Sequence, residues 1–149
     1  MVAYRKILFA TDFSPASEQA LEMAETFNRV FGATVDIVHV FDPTAFKPPK
    51  PYSLTSNLAD WLEKNLSKLQ ERSKSSLRGM GTHFHTEIRT HYIEGKPGRR
   101  IVALAQELGS DLIIMGTCRR TGLDHFFVGS VARFVRREAT CAVLTVRPK

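Results

Sequence analysis

The feature that most constrains this chain is a set of short apolar runs separated by stretches with helical periodicity. KILFA at 6–10, DLIIM at 111–115 and CAVLTV at 141–146 are nearly continuous in apolar character, and TVDIVHVF at 34–41 carries apolar residues on both faces. A strand is apolar on both faces when helices cover both sides of its sheet. The intervening segments supply them. Ala20, Leu21, Ala24, Phe27 and Phe31 form one stripe, and Leu58, Leu62, Leu66 and Leu69 form another with Trp61 at its edge. Ile101, Leu104, Ala105 and Leu108 form a third. A last short helix is expected over 130–137. FHTEIRTHYI at 84–93 differs: Phe84, Thr86, Ile88, Thr90 and Tyr92 share one face, and His85, Glu87, Arg89 and His91 the other. One solvated face marks an edge strand. The alternation predicts a single α/β domain over 1–149. Its five-stranded parallel sheet is doubly wound into three α/β/α layers, in the order 3-2-1-4-5 with right-handed crossovers.

The punctuation agrees with this plan. Ser14 is a good N-cap and Pro15 fits the first helical position, where its missing N–H costs nothing. Gly32 and Gly109 stand where helices should stop. DPTAFKPPKPYS at 42–53 has four prolines and reads as an extended loop, long for a strand–helix connection and suited to a lid or an interaction segment.

Composition excludes several classes. The chain has 149 residues, 43% apolar and 24% charged, which is ordinary for a globular domain. No apolar run approaches the roughly 20 residues of a membrane helix. The N-terminal stretch has no long apolar segment followed by a cleavage site, so the cytoplasm is the expected address and no membrane partner is expected. A formal net charge of +6 favours acidic partners. The basic residues are scattered and no aromatics are interleaved with them, so nucleic acid is not expected. Cys118 and Cys141 lack metal-ligand spacing; Cys141 reads as buried and Cys118 as a loop residue.

In a sheet of this order, ligands bind beyond the carboxyl ends of the strands, where the first and fourth lie side by side. Two loops meet there. One is ATDFS, with Asp12 just past the first strand. An aspartate there can accept hydrogen bonds from a ribose or a base, or hold a metal beside phosphates. It can equally brace the turn or a helix start. The other loop begins in MGTCRRTG and runs to FFVGSV. Gly116 allows a ligand to lie against backbone, Gly129 can take an unusual backbone angle, and Ser130 can cap the helix while meeting a phosphate. No GK[ST] follows, and the first strand does not lead into G-x-G-x-x-G, so neither the Walker A loop nor the dinucleotide fingerprint applies.

KILFATDFSPASEQAL and DLIIMGTCRRTGLDHFFVGSVARFVRREATCAVLTVRP resemble the opening and the C-terminal half of a universal stress protein domain, and the resemblance covers essentially the whole chain. It implies the adenine-nucleotide alpha hydrolase-like arrangement. It also implies ATP, or ADP or AMP, with or without magnesium, in a stress-response regulatory protein. Asp12 then lies near ribose and adenine, with backbone around Ala10, Thr11 and Val40. Gly116 matches the first glycine, and Met115 beside it is expected to take part in binding the nucleotide. Gly129 and Ser130 match the phosphate-holding pair, with Val131 and Ala132 behind them. The family pattern G-x2-G-x9-G-[S/T] is broken at one place, where Arg119 replaces the second glycine. Ala142 also stands where proline is frequent. Arg119 either fills the space a triphosphate needs or swings out to pair with phosphates, with Arg120 as a second candidate.

Catalytic machinery is sparse, so at most slow ATP hydrolysis is expected, with no catalytic residue and no metal site named. His125 reads as a loop residue and His39 as a satisfied core histidine. His83 and His85 could share a strand face but lack a third metal ligand. The competing class is a protein-interaction module that ignores nucleotide and uses ARFVRREA and FKPPKPY as contact surfaces for an unidentified partner. The apolar last strand is expected at an open edge, where it would pair with a second copy in a homodimer.

Overall fold

The computed structural model describes residues 3–46, 56–117 and 129–148. Cys118, Arg119, Arg120, His125 and most of the proline-rich segment lie outside them. Five parallel strands form one sheet in the order β3-β2-β1-β4-β5, as expected. They are β1 (Lys6–Ala10), β2 (Thr34–Phe41), β3 (Ile88–Glu94), β4 (Leu112–Gly116) and β5 (Ala142–Val146). The helices are α1 (Pro15–Phe31), α2 (Ser56–Gly79), α3 (Pro97–Leu108) and α4 (Ser130–Glu138).

β1 sits in the middle, with Ala10 level with Val38 of β2 and with Met115 of β4. Ile7, Leu8 and Phe9 are completely buried, and each such side chain contributes about 1.5–3 kcal/mol relative to exposure. Alternate residues feed two cores. Ile7, Phe9, Ile37 and Ile114 pack under α1 with Ala20 and Ala24. Leu8, Val38, Ile113 and Met115 pack under α3 and α4 with Ile101, Leu104 and Val135.

The helix punctuation follows its chemistry. Ser14 caps α1 by accepting from the Ser17 amide, Pro15 opens the helix, and Gly32 closes it in the left-handed region at φ 64°. Gly109 closes α3 at φ 63°. α2 departs from the even stripe the sequence suggests. Leu77 is buried, whereas Leu58, Trp61 and Leu69 are exposed. The proline-rich connection starts with a single 3-10 turn, Pro43–Phe46, rather than with open loop.

The third strand is shorter than the sequence pattern suggests, starting at Ile88 instead of residue 84. The reason is Asn28, buried at the end of α1. Its side chain accepts from the His85 amide and donates to the Ala33 carbonyl and the Thr86 hydroxyl. The segment before β3 is therefore tied to α1 rather than to a neighbouring strand. His83 lies in a 3-10 turn, Met80–His83, so it does not share a strand face with His85.

β3 is an edge, but its polar face is not simply solvated. Asp36 of β2 is buried, and its carboxylate accepts from Arg89 at 2.9 Å and pairs with His91 at 2.7 Å. Replacing both Arg89 and His91 by leucine would strand that carboxylate. The expected loss is about 3 kcal/mol or more in urea denaturation, and a loss below about 1 kcal/mol would show that the cluster is no stronger than a surface ion pair.

Candidate functional site

The carboxyl ends of β1 and β4 lie side by side, and the chain leaves them in opposite directions. From β1 it turns into α1 through Thr11–Ser14, and this turn is heavily braced. The Thr11 amide donates to the Val38 carbonyl at 2.9 Å. The Thr11 carbonyl faces His39 Nδ1 at 2.8 Å, and the Thr11 hydroxyl accepts from the Phe13 amide at 3.0 Å. His39 is thus the satisfied core histidine that its strand position suggests. Phe13 has φ 61°, the one positive φ outside glycine among the described residues. Such a conformation costs a non-glycine residue about 1 kcal/mol or more. It is held by the Phe13 ring lying against His39, with centroids 4.6 Å apart.

This turn aims Asp12. Its amide donates to the Ser17 hydroxyl, and its Oδ1 accepts from both the Ser14 amide and the Ser17 hydroxyl. Oδ1 thus carries the turn-bracing role. Desolvation is the largest influence on this carboxyl and works against ionisation. The hydrogen bonds from Ser14 and Ser17 together outweigh it, and the group sits below its ordinary value of 3.8. Asp12 thus offers an ionised acceptor on a rigid support at neutral pH.

The other wall begins at β4. Ala10 and Met115 are neighbours in the sheet and are buried with Ala132 in one cluster, with Val40 and Val131 partly buried against it. Five of the residues singled out from the sequence are thus brought together. The start of α4 differs from expectation in two respects. Gly129, not Ser130, is the N-cap, and among the described residues no side-chain hydrogen bond caps the helix. Gly129 has φ −53° and ψ 151°, angles any residue adopts, so no unusual backbone is required there. The first internal hydrogen bond is from the Arg133 amide to the Gly129 carbonyl at 3.0 Å. The amides of Ser130, Val131 and Ala132 therefore have no acceptor within the helix, and the helix dipole adds partial positive charge.

Gly116 has a packing role that the sequence alone conceals. A Cβ there would fall 2.6 Å from the Ala16 carbonyl carbon and 2.8 Å from the Ser17 amide nitrogen. The glycine lets the first turn of α1 press against β4. Phe13, Ser17 and His39 are the site residues that motif reasoning does not name as such. Ser17 leaves a faint signal, a hydroxyl in the first helical turn after an aspartate. The positive φ of Phe13 leaves none.

The sequence profile described as the universal stress protein family matches residues 3–147. The chain belongs to this family. Universal stress protein MJ0531 of Methanocaldococcus jannaschii is 32% identical over 144 residues, 97% of this chain and 82% of that one. Universal stress protein MJ0577 of the same organism is 30% identical over 158 residues, covering 99% and 98%. The solved MJ0577 structure superimposes with a TM-score of 0.82 at 28% identity over 99% of each chain. A universal stress protein from Archaeoglobus fulgidus, solved in complex with dAMP, has a TM-score of 0.63 at 22% identity, covering 97% of this chain and 99% of that one, and shares the fold. The family therefore includes adenine-nucleotide-bound members. Among the described residues of this universal stress protein, no helix is long and apolar enough to cross a membrane.

Two outcomes test this geometry. A carboxyl with a depressed folded pKa stabilises the fold above its unfolded value and loses that contribution as pH falls through the folded value. Asp12 should therefore titrate below 3.8 by carbon-13 NMR, and Ser17→Ala should move its midpoint upward. An unmoved midpoint would remove Ser17 from the account. Gly116→Ala should cost about 1–3 kcal/mol with no nucleotide added, as read from thermal or urea unfolding. Unchanged stability would show that α1 can yield.

Proposed function

We propose that this protein binds an adenine nucleotide, ATP foremost, between the Thr11–Ser14 turn and the start of α4, and works as a stress-response regulator rather than a dedicated enzyme. The observation that carries the reading is the convergence of two complementary features at the topological switch. Asp12 presents an ionised carboxylate on a braced turn, suited to ribose hydroxyls. α4 presents an N-terminus whose N-cap is a glycine, suited to phosphate oxygens. Backbone at Ala10, Thr11 and Val40 would line the base and sugar side. Gly129, Ser130, Val131 and Ala132 would hold the phosphates, with magnesium as an optional companion. A bound nucleotide would supply charge and ordering at this junction. None of these residues is an evident general base, so hydrolysis is expected to be slow or absent.

Homodimerisation through β5 belongs to the same proposal. β5 pairs with β4 on one side and ends the sheet order on the other, and its sequence AVLTV has no charge or proline to blunt the edge. The proposed dimer would sediment as two copies at micromolar protein, and the proposed location is the cytoplasm.

A second reading has its own support. Gly116 is accounted for by packing against α1 alone, and Arg119 replaces the glycine of the family's ATP-binding pattern. On that reading the protein is an interaction module indifferent to nucleotide. Equilibrium titration with ATP, ADP and AMP separates the two. Saturable binding that Asp12→Ala weakens about tenfold or more, a loss of about 1.4 kcal/mol or more, supports the nucleotide site. No saturation at millimolar nucleotide overturns it. If binding is seen, Arg119→Gly tests that residue: tighter binding identifies obstruction, and weaker binding identifies a phosphate contact.

A further inference from the structure

We propose that the outer face of α3 and α4 is a docking surface for an acidic, Asp- and Glu-rich segment of a partner protein. The two helices carry Arg99, Arg100, Arg133, Arg136 and Arg137 against Glu107 and Glu138, and all five arginines are exposed. The opposite layer balances in sum, with six acidic residues against six basic ones, α1 being net acidic and α2 net basic. α1 holds Glu18, Glu22 and Glu25 against Arg29, and α2 interleaves acidic with basic residues along its length. The net charge of +6 is therefore expressed unevenly, with one helical layer presenting a positive field.

The arginines are gathered by packing. A Cβ on Gly98 would lie 2.7 Å from the Phe134 ring, so the first turn of α3 rests directly against the middle of α4. Arg137 lies over that same ring, 5.5 Å from its centroid, while its Nε donates to the Glu138 carboxylate at 2.6 Å and the side chain stays exposed, and Arg99 follows Gly98 in the chain. Arg100 is steadied by its Nε donating to the Glu94 carbonyl at 3.0 Å. A pre-ordered guanidinium loses less freedom on pairing, and its fork matches a carboxylate in a bidentate fashion.

The same observations select the occupant. Val131, Ala132 and Val135 pack into the core beneath α4, so no apolar stripe is left to enter a bilayer. Phe134 is pinned between Gly98 and Arg137, so it offers no open platform on which a base could stack. An extended chain of carboxylates needs neither feature.

The test uses the full-length protein without nucleotide and follows the anisotropy of a labelled poly-glutamate peptide. Saturable binding that weakens with added salt is expected. The triple variant R99E/R136E/R137E should weaken it at least about tenfold, whereas K64E/K68E/R72E on α2, with the same change in charge, should alter it less than about twofold. Circular dichroism checks folding, and R99Q/R136Q/R137Q replaces the first variant if reversal unfolds the chain. Absence of saturable binding, or equal loss in both variants, overturns the proposal. Tighter binding of a single-stranded oligonucleotide or of phosphatidylserine vesicles, lost in the α3–α4 variant, overturns the choice of an acidic protein segment.

Discussion

The structure depends on the burial of β1 from Ile7 onward. Ile7, Leu8 and Phe9 alternate between two cores and none is exposed. A strand in that position needs helices on both sides of its sheet. The crossover from β1 to β2 carries α1 over one face, and that from β4 to β5 carries α4 over the other. The chain therefore diverges at the ends of β1 and β4, and a crevice opens there. The candidate site is a consequence of covering the central strand twice.

The crevice is then equipped by local strain and close approach. Phe13 accepts a positive φ because its ring packs tilted against His39 and its amide reaches Thr11. That conformation turns Asp12 so that Ser14 and Ser17 occupy one carboxylate oxygen and keep the group ionised. Gly116 admits α1 close against β4, which places Ser17 within reach of Asp12. Substitution at Gly116 is thus expected to act on Asp12 through α1 as well as on the space beside β4.

Most of the fold was legible because its signals are local. Pro15, Gly32 and Gly109 act through backbone dihedrals, and they sit at helix boundaries as read. The start of β3 is not legible locally, because alternation at 84–87 mimics a strand while Asn28, distant in sequence, takes up hydrogen bonds there. At the site, Asp12 and the start of α4 were found from position in the topology. The capping of α4 was not, since a serine before an apolar pattern fits N1 as well as N-cap, and only the backbone angles separate the two.

The layer architecture, the order of the strands and the family are legible in the sequence alone. Apolar periodicity and turn chemistry are properties of adjacent residues, and right-handed crossovers leave few arrangements of them. Tertiary contact makes Gly116 a packing residue, stores strain in Phe13 beside Asp12, holds Asp36 as a buried acid beside the edge strand, and sets the Gly98 turn of α3 and Arg137 of α4 against Phe134. Each of these depends on distances between residues far apart in the chain, which no local pattern encodes.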